Sequence, residues 1–229
     1  MQSRLFIPFV VPLLVLAGCG GGSKKSASNG VQGKSADDIV AAARAAADAA
    51  TAVHVSGSGT DSGVPLVLDL HIVAGKGGKG RLSEQGLSFD LIRIGDAAYI
   101  KGSPAFYRRF AGPAAAALFK GKWLKASATT GDLASLTPLT DLHKLLDRTL
   151  TNHGTLAKLP TTTVRGQTVV GVKDTSKGGI LYVATMGKPY PIEITKSGAS
   201  GGTLMFDEWD RPIALSAPAN AVDINKLKG

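Results

Sequence analysis

The sequence predicts an α+β fold in which one extensive antiparallel sheet carries a small number of helices. Three observations predict it. Residues 36–52 are almost wholly alanine, the residue with the best helix propensity. Two long regions, 53–101 and 155–216, alternate apolar and polar residues with period two between Gly-, Pro- and Asp-containing turns. Between them, Leu133, Leu136, Leu139, Leu142, Leu145 and Leu146 recur at mixed three- and four-residue spacing, an apolar helical face.

The chain starts with the parts of an export signal. Arg4 supplies the positive charge, and residues 5–16 form an apolar run of about a dozen residues, too short to span a bilayer comfortably. Leu16-Ala17-Gly18-Cys19 follows and resembles a bacterial lipobox. That resemblance implies cleavage before Cys19 and a diacylglyceryl thioether on its sulfur, so that the protein sits on the extracytoplasmic face of the cell membrane. Residues 1–18 then form the signal peptide. Residues 19–34, rich in Gly, Ser and Lys, form a tether, and 35–229 form a single domain.

Ser35 is a natural N-cap, and Asp37 and Asp38 complement the dipole of the alanine helix. Alanine side chains bury little area, so this helix can lie close to a sheet. Strands are expected at 53–59, 66–72, 80–85, 87–94 and 97–101. Leu66, Leu68, Leu70 and Ile72 share one face of their strand, while Val67, Asp69 and His71 share the other. Residues 104–120 carry aromatics among alanines and read as one or two short helices, with a brief strand at Trp123-Leu124. Pro138 is expected in the first turn of the leucine-rich helix, with Thr137 as its cap. Strands resume at 155–164, 167–174, 180–185, 192–196, 203–207 and 213–216.

Composition and motifs exclude several functions. Cys19 is the only cysteine, so the domain has no internal disulfide and no catalytic thiol. The net charge of +9 belongs to an exported chain, which makes anionic membrane or headgroups better partners than nucleic acid. His54, His71, His143 and His153 fall in no metal-ligand spacing, and no metal or cofactor is expected. Residues 75–80 match Gly-x-Gly-x-x-Gly, but a strand follows where a phosphate-binding helix would be needed, so they read as a hairpin tip. No Gly-x-Ser-x-Gly elbow occurs, and the protein is not expected to be an enzyme. Arg108, Arg109, Lys120, Lys122 and Lys125 bracket Phe106, Tyr107, Phe110, Phe119 and Trp123, a composition suited to headgroup or membrane contact and equally to a solvated face beside core aromatics.

Two passages carry a family likeness. Residues 180–194, an apolar strand, a Gly-Lys-Pro turn and a Pro-led strand, resemble a hairpin of LolA-like lipoprotein carriers. Residues 206–213, Phe-Asp-Glu-Trp-Asp-Arg-Pro-Ile, resemble their next hairpin. With the lipobox and the alanine helix, the chain resembles the LppX/LprA/LprF/LprG lipoproteins of mycobacteria and related actinobacteria. The resemblance implies a strongly curved half-barrel with helices covering its concave face, and a monomer that holds acylated lipid or glycolipid in an apolar cavity. A membrane lipid transporter is a further candidate partner. The expected lining is Leu66, Leu68, Leu70, Ile72, Leu87, Phe89, Leu91, Val170, Val172, Ile192 and Ile194. A cavity below about 300 Å³ would count against a carrier. Two other readings fit the same residues: an interaction or sensing module with a filled core, and an envelope hydrolase whose catalytic groups meet only in space.

Overall fold

The computed structural model describes residues 27–227, except 62, 131 and 200. The signal peptide and Cys19 lie outside the described residues. The described residues build one twelve-stranded sheet. Strands β1 (Ala52–Asp61), β2 (Val64–Val73), β3 (Gly77–Glu84), β4 (Leu87–Ile94), β5 (Ala97–Gly102) and β6 (Leu124–Ser127) form one meander. Strands β7 (Leu156–Val164), β8 (Gln167–Asp174), β9 (Ile180–Ala184), β10 (Pro191–Lys196) and β11 (Gly202–Asp207) form the second, and β12 (Val222–Asp223) is a short edge. The order is β12-β6-β5-β4-β3-β2-β1-β11-β10-β9-β8-β7, so β1 and β11 join the two meanders. All pairings are antiparallel except β12 with β6.

Register turns the alternation of each strand into one apolar surface. Phe206, Val55, Leu70, Gly80, Leu91, Ile100 and Leu124 lie opposite one another in a row across seven strands. Six of the seven belong to the main core; Gly80 contributes no side chain. Helices α1 (Ala36–Asp48), α2 (Pro104–Leu118) and α3 (Leu142–Leu150), with a 3-10 helix at Asp132–Thr140, cover this concave face of the half-barrel. Ile39, Val40, Ala43 and Ala47 form the buried stripe of α1, and Leu142, Leu145, Leu146 and Leu150 that of α3. Arg44 of α1 pairs with Asp147 of α3. Among the described residues no helix is long and apolar enough to cross a membrane.

Four expectations are corrected. Residues 27–34, read as tether, belong to the fold. Ser28 bridges to Met186, Asn29 N–H donates to the Thr185 carbonyl at 2.9 Å, and Val31 is 1% exposed in the core. Val31 is the apolar residue in that polar stretch, and its burial draws the segment onto the domain. Second, the leucine-rich region is not one helix capped by Thr137. Pro138 lies inside the 3-10 helix, and Asp141 caps α3 by accepting from the Lys144 N–H at 3.2 Å. Third, residues 213–216 are not a strand. β11 already has β1 and β10 on its two edges, so a following hairpin partner has no place. Glu208 and Asp210, with φ of 51° and 60°, and then Pro212 turn the chain off the sheet. Fourth, α1 ends at Asp48 rather than at residue 52, because Ala52 enters β1.

Candidate functional site

On the concave face the side chains thin out toward the β1–β2 hairpin. In the row beside that of Phe206 and Val55, Leu204, Gly57, Leu68, Leu82 and Phe89 are opposite one another, with Leu68 and Leu82 still in the core. In the next row Lys196, Gly202, Gly59, Leu66, Glu84 and Leu87 face each other, so two neighbouring strands present glycine there. The inward positions of β1 therefore read Val53, Val55, Gly57, Gly59. Glycine is required here by close approach: a Cβ on Gly57 would stand 2.1 Å from the Thr203 carbonyl oxygen, and one on Gly202 2.6 Å from the Gly59 Cα. Glycines at such a seam let strands bend sharply.

The missing side chains leave a cavity of about 280 Å³ between the glycine seam and the helical cover. Leu66, Leu68, Ile194 and Leu204 line it from the sheet, and Leu139 and Leu145 from the cover. Lys196, exposed, stands with Thr60 and Thr203 among its polar lining groups. The cover is pinned by Arg93, whose guanidinium reaches from β4 to donate to the Thr140 hydroxyl and carbonyl, each at 2.7 Å. A larger space of about 490 Å³ lies elsewhere, between the turns at Gly75-Lys76 and Gly95 and the segment Ile213–Leu215. None of its lining residues belongs to the main core.

Of the expected lining residues, Leu66, Leu68 and Ile194 reach the cavity. Leu70, Ile72, Leu91, Val170 and Val172 are buried in the main core and do not line the cavity. Phe89 packs on Phe106 of α2, with ring centroids 5.0 Å apart, and Leu87 is half-buried at the start of its strand. Ile192 falls in a separate small cluster with Val169 and Ala184, because β10 shifts register between Pro191 and Glu193 and the extra residue changes its face. Leu139 and Leu145 come from the leucine-rich face expected between the meanders, whereas Leu204, Lys196 and the glycine seam match no sequence expectation. The alternation Val53-x-Val55-x-Gly57-x-Gly59 held the signal for the seam.

The basic–aromatic group stands apart from the cavity. Helix α2 starts at the Ser103 cap and kinks at Gly112, whose φ of 84° precedes Pro113. Phe106 and Tyr107 turn inward, and the Tyr107 hydroxyl accepts from the Gly102 N–H at 2.9 Å. Phe110 and Leu118 project outward, 68% and 57% exposed. Arg108, Arg109, Lys120 and Lys122 are exposed around them, while Lys125 reaches Asp223 at 3.9 Å.

An open, mostly antiparallel half-barrel with its helices on the concave side defines the LolA-like α+β class. Within that class the chain has the LppX/LprF-like fold. It is similar to the structure of LprF from Mycobacterium bovis, with a TM-score of 0.56 and 13% identity over 85% of this chain and 100% of that one. It is also similar to lipoprotein LppX from Mycobacterium tuberculosis, with a TM-score of 0.50 and 17% identity over 79% of this chain and 99% of that one. No family model matches the sequence, and no curated protein matches it.

Proposed function

We propose that the protein is a lipoprotein anchored through Cys19 to the extracytoplasmic face of the cell membrane, where it binds the alkyl part of an acylated lipid or glycolipid and carries or presents it. The observation that carries this reading is the apolar cavity at the glycine seam, with Lys196 as a cationic partner for an anionic headgroup. Its 280 Å³ is just under the usual range for ligand sites, about 300–1,000 Å³. A cavity of about 150 Å³ holds benzene, so this one accommodates roughly ten carbons. Burying ten methylenes is worth about 8 kcal/mol before the costs of association. Longer or additional chains require the 3-10 helix and α3 to move outward from the sheet. Ser28 already pairs with the sheet, nine residues after Cys19 in the chain, which keeps the cavity near the bilayer.

Helix α2 is the surface proposed to meet that bilayer. Phe110 and Leu118 are exposed apolar groups, the basic residues beside them match anionic headgroups, and the helix contains no acidic residue. A second reading, a filled-core interaction module, is favoured by the small cavity volume. Titration of the purified protein with a fluorescent fatty acid separates the two: saturable one-to-one binding supports the carrier, and an absence of binding leaves the module.

A further inference from the structure

The convex face of the sheet carries a group of side chains that the lipid reading does not use. β1 and β2 pair so that His54 lies directly opposite His71, and Asp69 precedes His71 by two residues on the same face. On the other side of His54, directly opposite it on β11, lies Asp207. The two imidazoles stack with centroids 4.4 Å apart. One ligand atom from each of His54, Asp69 and His71 lies within 4.8 Å of the others.

We propose that His54, Asp69 and His71 form a binding site for a divalent transition-metal ion, best matched by Zn²⁺. The argument starts from His54. Its Nδ1 is 2.7 Å from Asp207 Oδ1 and its Nε2 is 3.2 Å from Asp69 Oδ1. A neutral imidazole has one N–H. One of these two contacts therefore sets a nitrogen lone pair against a carboxylate, unless the ring or the gap takes up a cation. With Nδ1–H donating to Asp207, the Nε2 lone pair points toward Asp69. This carboxylate–histidine arrangement orients metal-bound histidines and raises their basicity.

The surrounding charges leave this gap open. Arg81, opposite Asp69, donates to Asp90 at 2.8 Å, and Lys79, opposite His71, donates to the Ala214 carbonyl at 2.9 Å. Arg165 pairs with Asp207 at 3.1 Å, and Arg211 with Glu208 at 2.8 Å. Glu208 stands 3.7 Å from His71 Nε2. Among the described residues, Asp69 has no ion-pair partner other than His54. Two nitrogens and one carboxylate are a common donor set for zinc with a fourth position open. Ligands at 2.0–2.1 Å on a tetrahedron are roughly 3.3 Å apart, so the widest pair must close by roughly 1.5 Å. Asp69 and His71, with side chains 62% and 33% exposed, have room for that movement. The chain shows no ligand spacing for such a site because its donors come from two strands and meet only through register.

The test is isothermal titration of the full-length protein, purified without a histidine tag, with ZnCl₂. Wild type is expected to bind one ion at this site with a micromolar or tighter dissociation constant. His71→Ala at a half-buried position and Asp69→Asn at an exposed one are expected to weaken binding at least tenfold, and Asp207→Asn, which positions His54 without ligating, by about 10–100-fold. His143→Gln leaves binding unchanged. Metal-free thermal unfolding of each variant establishes that it is folded. The proposal is overturned if wild type binds no zinc, or if folded Asp69→Asn and His71→Ala bind it as tightly as wild type. Neither result bears on fatty-acid binding at the opposite face.

Discussion

Arg93 extends from the inner face of β4 to Thr140, which is 1% exposed at the end of the 3-10 helix. Hydrogen bonds to a charged donor are worth about 1.5–3 kcal/mol. Arg93→Ala is therefore expected to lower stability by about that amount in urea unfolding, and an unchanged midpoint would show that leucine packing alone holds the cover. Asp210 is a second residue with a structural task. It accepts from the Thr51 N–H at 2.9 Å, the Tyr190 hydroxyl at 2.6 Å and the Lys188 ammonium at 2.7 Å. Lys188, then Tyr190 and the Thr51 amide, hold its carboxyl well below the usual aspartate range. A depressed folded-state pKa stabilises above the unfolded value, near pH 4, and that stabilisation is lost as pH falls toward the folded value. Asp210→Asn should be less stable than wild type at neutral pH, and the gap should narrow between about pH 4 and pH 2 in thermal unfolding. A constant gap would contradict the assignment.

At the scale of elements, what could be read depended on whether a strand kept its period. β2 shows its inner face plainly through Leu66, Leu68, Leu70 and Ile72, and the structure leaves all four inward. Ile192 was misplaced because one extra residue in β10 reverses the alternation, and no composition marks that bulge. The Thr137–Pro138 cap failed because proline is tolerated in a short 3-10 segment as well as in a first α-turn, while Asp141 supplied the real cap. Helix α2 was legible as a basic–aromatic element, but not which aromatics face out. Now that Phe110 and Leu118 are seen outside, Phe110→Ser with Leu118→Ser is expected to reduce sedimentation with vesicles containing phosphatidylglycerol by at least fivefold. Charge reversal at Arg108 and Arg109 should do the same. Equal sedimentation of all forms would remove α2 as the bilayer contact.

At the scale of the molecule, two meanders meet at β1 and β11, and that seam combines the sharpest loss of inward side chains with the cavity. The sheet was readable because each strand announces its own alternation. The position of the hollow was not, because it depends on Gly57 and Gly202 coming from strands about 145 residues apart in the chain and placed side by side only by topology. The convex His54–His71 pair was hidden for the same reason. The central claim is that the glycine-seam cavity receives an alkyl chain, and it is tested most directly by fluorescence titration of wild type and of Leu66→Phe and Leu204→Phe with a dansyl-labelled fatty acid. Filling the cavity from its sheet wall should weaken binding at least tenfold in both variants while thermal unfolding stays near wild type. Binding that is equally tight in wild type and in both folded variants would contradict the account.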